Sequence, residues 1–174
     1  MKSRKPTRWN HYAYSQDGMY FVTICTKDRE ELFGQIKDGK MVLNELGKIA
    51  KKCLLEIPNH FQDVFLDEYV IMPNHIHCII EIIDNPVGNA HVRSANNPDR
   101  SKMLLPKIIQ GFKAAVTKIC NRTERACAFP TIWQKSFYDH IIRDEKSLNK
   151  IREYIEINPA MWDRDRNNTE NIFM

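Results

Sequence analysis

The sequence contains no hydrophobic run of the roughly 18–20 residues that a membrane-spanning helix needs. Its basic opening stretch, MKSRKPTRWNHY, is not followed by the apolar segment of a secretory signal. Its five cysteines are scattered and odd in number, and none belongs to a Cys-x-x-Cys pair, so neither a disulfide framework nor a zinc ribbon is indicated. These absences predict a soluble protein of a reducing cytoplasm.

The chain also lacks a large excess of charge of either sign. It has 26 lysines and arginines against 22 aspartates and glutamates, for a net charge of +4. Four basic residues nevertheless crowd the first eight positions of an N-terminal arm, residues 1–14, and aromatic rings follow them directly. Such a mixture suits a polyanion that also offers stacking faces, meaning single-stranded or hairpin nucleic acid. A solvated, frayed terminus is the ordinary alternative.

Hydrophobic periodicity and turn residues divide the chain into strand and helix candidates. In order, they predict a strand at 19–26, a hairpin over 32–44 around Asp38-Gly39, a helix between Asn44 and Pro58, strands at 64–74 and 75–83, a helix at 105–121, a strand at 133–144 and a helix at 145–158. The segment 84–102, rich in Asn, Pro and Gly, predicts a long loop, and such loops are usually functional or disordered. The tail after Pro159 has little periodicity.

This order of elements predicts an α+β fold with a largely antiparallel sheet and its helices on one face. The simplest arrangement is a ferredoxin-like (RRM-like) split βαβ with additions. We expect a single domain over residues 1–174, with its core at 8–162.

The stretch VIMPNHIHCIIEI, residues 70–82, combines a buried strand with two imidazoles. Side chains alternate along a strand, so His75 and His77 point to the same face, with Cβ atoms about 7 Å apart. From there both rings can bind one divalent cation. Two buried imidazoles would each need partners in any case, and ordinary core or surface histidines remain an alternative.

A hard cation needs further ligands besides two imidazoles, and the last helix offers candidates. Tyr154 and Asn158 are one turn apart in EYIEIN and therefore lie on one helical face. The ordinary interpretation of Tyr154 is an aromatic at the edge of the core with a solvated hydroxyl.

Three segments together resemble the HUH single-tyrosine transposases, and within them the REP-associated tyrosine transposases. They are MPNHIH, WQKSFYDHIIRDEKSL and YIEINP, whose order and spacing match the family over roughly residues 8–162. YFVTICT also resembles the first strand of that family. The resemblance rests on all three segments and is far more specific than the histidine pair alone.

The resemblance implies a metal-dependent enzyme that cleaves and rejoins single-stranded or hairpin DNA. His75 and His77 would be the paired ligands of Mg²⁺ or Mn²⁺, and Tyr154 would be the nucleophile that forms a 5′-phosphotyrosine. Asn158 stands where related enzymes have a polar third ligand, often Gln. No nucleotide cofactor is implied, and both a monomer and a homodimer are compatible with the family.

DNA contacts are expected from the basic arm, the 84–102 loop and a helix lysine. The candidates are Arg4, Lys5, Arg8, Trp9, Arg93, Arg100, Lys102 and Lys113. Asp139 and His140 on the penultimate strand are weaker candidates, for which we favour a structural role. Three other functions stay open: a DNA- or RNA-binding module without catalysis, a metal-dependent nuclease that uses water, and an inactive relative that only binds DNA.

Overall fold

The computed structural model describes residues 17–83, 104–123, 131–165 and 167–168. Its elements in chain order are β1 (Gly18–Cys25), β2 (Gly34–Lys37), β3 (Lys40–Leu43), α1 (Glu45–Leu55), α2 (Ile57–His60), β4 (Val64–Ile71), β5 (His75–Ile82), α3 (Leu104–Thr123), β6 (Tyr138–Ile142) and α4 (Glu145–Ile157). A 3-10 helix, Asn158–Arg164, continues directly from α4. The N-terminal arm and the predicted loop 84–102 lie outside the described residues.

A four-stranded antiparallel sheet carries the rest of the described fold. Its spatial order is β4-β5-β1-β6, with β1 paired to both β5 and β6. The connection from β1 to β4 contains α1, and the connection from β5 to β6 contains α3. This is the split βαβ order, so the predicted α+β, ferredoxin-like fold class is confirmed.

The helices are divided between the two faces of the sheet, which corrects the expectation that they share one. The helices α1 and α3 cover the face of Tyr20 and Val22 and form the main core with it. The helix α4 covers the opposite face, where Ile155 packs with Ile79 and Ile142. Almost every residue of β5 is buried, so this strand has the uninterrupted apolar pattern of one covered on both faces.

The predicted hairpin is present as β2 and β3, which form a separate two-stranded sheet. Asp38 and Gly39 both have positive φ, 50° and 70°, as a tight two-residue hairpin turn requires. A Cβ atom on Gly39 would lie 3.5 Å from Ala160 Cα. The tip of the hairpin therefore lies against the 3-10 helix that follows α4.

The strand β6 is shorter than the predicted strand 133–144. Trp133 makes only an isolated bridge with Thr26, and its ring packs against Phe33 and Phe112, with centroids 5.5 and 5.4 Å away. The residues before β6 therefore place the Trp133 side chain in the main core and do not extend the strand pairing of β6.

The helix α4 is held at its start and along its length. Asp144 caps it by accepting a hydrogen bond from Ser147 N at 2.7 Å. Arg152 binds Asp67 of β4 with two hydrogen bonds, one of them from Nε to Oδ1 at 2.8 Å. These contacts, with Leu148 and Ile151 packed below, hold α4 across the second face of the sheet.

Among the described residues, no helix is both long enough and apolar enough to cross a membrane.

Candidate active site

The histidine pair lies on the sheet face beneath α4, at the start of β5. His75 and His77 are 0% and 1% exposed, and their Nε2 atoms are 3.0 Å apart. Phe21 stacks on His77 with ring centroids 5.1 Å apart, and Trp162 lies nearly parallel to His75 at 6.0 Å. The two aromatic rings therefore hold the imidazoles with their Nε2 atoms turned towards each other.

Asn74 determines which nitrogen of His75 carries the proton. Its Nδ2 donates to Arg29 O at 3.1 Å and to Asn167 O at 2.8 Å, so its Oδ1 must face His75 Nδ1, 2.8 Å away. Amide oxygen only accepts, and His75 Nδ1 therefore donates. The lone pair of His75 is left on Nε2, which points at His77.

Thr23 is the corresponding partner of His77. Its Oγ1 lies 2.9 Å from His77 Nδ1, and a hydroxyl can either donate or accept. His77 can thus donate from Nε2 to His75, or donate from Nδ1 to Thr23 and offer its Nε2 lone pair to a cation. Such partners on the far nitrogen are the usual support of a metal-binding histidine.

Tyr154 meets this pair from α4. Its hydroxyl lies 3.3 Å from His77 Nε2, and its side chain is 38% exposed. Ile155, next to it in sequence, is buried in the second core and fixes the helix at this point. The phenol is thus both accessible from solvent and adjacent to the imidazoles.

Asn158 is 2% exposed, and its Oδ1 is buried without a hydrogen-bond partner in the part of the chain that the structure describes. Leaving a buried polar atom unsatisfied costs about 1–3 kcal/mol. A cation or a substrate donor would remove that cost.

Asp165 is a candidate site residue that the sequence did not predict. Its carboxylate and the ring nitrogens of His75 and His77 offer three ligand atoms that all lie within 4.8 Å of one another. Asp165 Oδ1 also accepts a hydrogen bond from Asn167 N at 2.6 Å. The only sequence signal was a group of short polar residues beside Trp162, in a tail without periodicity.

A network of side chains ties this tail to the sheet. Arg29 Nη1 donates to Asn167 Oδ1 at 2.6 Å, while Asn74 Nδ2 donates to Asn167 O. Trp162, Asp165, Asn167 and Asn168 are all buried. The tail that the sequence left without structure is therefore part of the site.

An open pocket of about 510 Å³ lies in front of Tyr154. It is lined by Phe21, Tyr154, Ile157, Asn158, Met161, Arg164 and Asp165.

The predicted DNA contacts are only partly within the described residues. Arg4, Lys5, Arg8, Trp9, Arg93, Arg100 and Lys102 lie outside them. Lys113 joins α3 to the segment before β6, because its Nζ donates to Gln134 O at 2.8 Å and to Ser136 O at 2.9 Å. His140 is exposed on the edge strand β6, opposite Phe21.

Comparisons with known proteins show what the chain is similar to. No family model matches the chain. A Haemophilus influenzae relative without a described function is 42% identical over 168 residues, which cover 94% of this chain and 92% of that protein. Another H. influenzae relative, provisionally named a REP-associated tyrosine transposase, is 29% identical over 84% of this chain and 73% of its own length.

These relatives support a tyrosine transposase similar to the REP-associated ones. A solved REP-associated tyrosine transposase bound to a REP hairpin shares the fold, with a TM-score of 0.59, 20% identity and coverage of 89% of this chain and 73% of that one. The resemblance carried by MPNHIH, WQKSFYDHIIRDEKSL and YIEINP is thereby confirmed. The residues to which it assigned roles, His75, His77 and Tyr154, lie together between the sheet and α4.

Proposed function

We propose that this transposase cleaves and rejoins single-stranded DNA through a covalent bond between Tyr154 and a 5′ phosphate. One observation carries the proposal: an accessible phenol lies 3.3 Å from one member of a buried histidine pair whose Nε2 atoms are 3.0 Å apart. Titratable and nucleophilic groups gathered in a pocket are the usual sign of a catalytic site.

The side chains present fit a divalent cation, for which we retain the expectation of Mg²⁺ or Mn²⁺. His75 turns a lone pair towards His77 Nε2, an arrangement that a cation between the rings would satisfy. The Asp165 carboxylate and the Asn158 Oδ1, which has no hydrogen-bond partner among the described residues, add oxygen donors that suit these ions. We propose His75 and His77 as ligands, with oxygen from Asp165 and Asn158.

In the proposed reaction the Tyr154 oxygen attacks the phosphorus of a phosphodiester and displaces the 3′ oxygen. The phenolic proton is lost to solvent, and the leaving oxygen takes up a proton to become a 3′ hydroxyl. A free phenol has a pKa of about 10 and is a poor nucleophile at neutral pH. A bound cation would favour the phenolate and neutralise charge on the phosphate. Attack by another 3′ hydroxyl on the phosphotyrosine reverses the step and joins strands.

We propose hairpin-forming repeat DNA with a single-stranded flank as the substrate, since a structural relative is bound to a REP hairpin. The candidate contacts in the arm and in the 84–102 loop remain predictions. Lys113 Nζ makes two hydrogen bonds to backbone oxygens of the protein itself, which favours a structural role for this lysine. Lys27 and Lys135 are exposed at a groove of about 710 Å³ beside Asn74 and are better placed to receive phosphates.

The test uses a hairpin oligonucleotide with single-stranded flanks, labelled at its 3′ end, with Mn²⁺ and denaturing gels. We expect a protein-linked labelled band that protease removes, and no such band with Tyr154→Phe. Tyr138→Phe is the matched control, because Tyr138 is 37% exposed but lies on β6.

Three results would contradict the proposal. An adduct that persists in Tyr154→Phe would assign another nucleophile. Cleavage without any adduct would indicate a nuclease that uses water. Binding without cleavage would indicate a DNA-binding module.

A further inference from the structure

Two large apolar side chains are exposed next to the nucleophile. Ile157 is 45% and Met161 is 40% exposed, and both lie where α4 continues into the 3-10 helix. Neither belongs to the two hydrophobic cores of the described chain. Both line the pocket in front of Tyr154, together with Phe21. Single exposed apolar residues are ordinary, but here they form the walls of the pocket that contains the nucleophile.

We propose that this pocket binds the base of one nucleotide, the one immediately 3′ of the bond that is cleaved. The proposal rests on the proposed function and adds to it the identity of the nucleotide that the protein holds beside Tyr154.

The chemistry of the walls favours a base over a bare phosphate. Ile157, Met161 and Phe21 offer apolar and aromatic surface, which suits the flat face of a base. Arg164 is exposed at the same pocket and offers a cation to the adjoining phosphate. Contact with the face of a base depends little on which base is present. The pocket would therefore need a base but would not discriminate strongly between the four.

The direction of attack determines which nucleotide this is. In phosphoryl transfer the attacking and leaving oxygens are roughly in line, on opposite sides of the phosphorus. The nucleotide that leaves with the 3′ hydroxyl is therefore directed away from Tyr154. The nucleotide on the 3′ side is bonded through its 5′ oxygen, which is equatorial and stays on the phosphorus that Tyr154 attacks, so this nucleotide remains within reach of the pocket. The pocket would hold that nucleotide through the covalent intermediate.

A second copy of the chain is a less suitable occupant. A stable interface buries about 800 Å² on each partner, whereas the exposed apolar surface here consists of two side chains at the mouth of one pocket. A partner seated there would also cover the Tyr154 hydroxyl.

The experiment measures the rate of adduct formation with 3′-labelled hairpin DNA after the cleaved bond has been mapped with wild-type protein. An abasic analogue replaces the nucleotide immediately 3′ of that bond, or the nucleotide immediately 5′ of it. We expect the first replacement to slow adduct formation about tenfold or more, as for loss of one stacked base, and the second to have a much smaller effect.

The double variant Ile157→Ala, Met161→Ala should react slowly with intact DNA. The abasic replacement should slow this variant little further, because the variant and the missing base remove the same contact. The variant should still bind a hairpin that has no single-stranded flank. Leu55→Ala is the matched control, since Leu55 is 48% exposed on α1, away from the pocket.

Equal rates for wild-type protein on intact and 3′-abasic DNA would overturn the inference while leaving the covalent chemistry intact. Fully additive losses in the double variant would overturn it as well, because the base would then be held elsewhere. A change in sedimentation of the double variant, with no abasic effect, would make this face an interface between copies. Absence of an adduct on every DNA would instead remove the proposed function.

Discussion

On one face of β5, Ile76, Cys78 and Ile80 are fully buried against the helices α1 and α3. On the other face of the same strand, His75 and His77 are buried just as deeply beneath α4. The first set gains free energy from burial, whereas the second set must find partners for its nitrogens to be buried at all. Asn74 and Thr23 supply those partners. Equal burial therefore serves stability on one face and, in the proposed function, chemistry on the other.

The pKa values of neighbouring groups illustrate the same contrast. Burial on the apolar face raises the pKa of the Cys78 thiol to about 12, so this cysteine stays protonated and acts as a hydrophobic residue. On the α4 face, the hydrogen bond from Arg152 lowers the pKa of Asp67, so this carboxylate stays charged.

The largest expected effect is the loss of activity on replacing His77 by Ala. Adduct formation should fall roughly a thousandfold or more, because the imidazole supports both the cation and the phenol. The free energy of unfolding should change less than for a substitution on the apolar face. Gel assays with Mn²⁺ and chemical denaturation measure the two quantities.

His60→Ala is the matched control for this substitution, since His60 is exposed at the end of α2. Retention of full activity by His77→Ala would show that the histidine face does not carry the chemistry.

Replacing Ile80 by Ala on the opposite face should have the reverse outcome. Ile80 is fully buried in the main core, and its truncation should lower the free energy of unfolding by about 2–5 kcal/mol. The folded fraction should cleave DNA at the normal rate, as measured well below the lowered melting temperature. A stability loss as small as that of Leu55→Ala would contradict the assignment of this face to the core.

A smaller effect is expected for Asp165→Asn, which tests the proposed ligand that only the structure revealed. The Mn²⁺ concentration required for half-maximal adduct should rise about tenfold or more, and calorimetric titration should show the same loss of Mn²⁺ affinity. Asp163→Asn, an exposed neighbour, serves as the control. Unchanged Mn²⁺ affinity would remove Asp165 from the proposed ligand set.

The smallest effect concerns the attachment of α4 to β4. Because Arg152 lowers the pKa of Asp67 in the folded state, the stabilising contribution is present above the ordinary Asp pKa of about 4. It is lost as pH falls from there through the lower folded pKa. Asp67→Asn should therefore reduce stability slightly at pH 7 and flatten its acid dependence, measured by denaturation between pH 7 and pH 3.

Asp17→Asn is the control for this experiment, as Asp17 is an exposed aspartate just before β1. An acid dependence in Asp67→Asn equal to that of the wild type would contradict this account of the ion pair.

The predictable part of the site is the part defined by local periodicity. His75 and His77 share a face because strand side chains alternate, and Tyr154 and Asn158 share one because helical residues recur each turn. The same rules yielded the elements and the antiparallel α+β class. The side of the sheet that α4 covers was not predictable, because β5 is apolar in both directions except at its histidines and Glu81.

Asp165 could not be predicted from the sequence for a different reason. It reaches the histidines through the 3-10 helix after Pro159 and is held there by Asn167, which binds Arg29 and Asn74. Those partners are separated from Asn167 by 138 and 93 residues, so no local pattern records the contact.

The most direct test of the central claim is the mass of the Tyr154 peptide after reaction with hairpin DNA and Mn²⁺. After exhaustive nuclease and protease digestion, the account predicts a peptide containing Tyr154 that carries a nucleotide through its 5′ phosphate. Cleaved DNA recovered alongside an unmodified Tyr154 peptide, or a nucleotide attached to another residue, would contradict it.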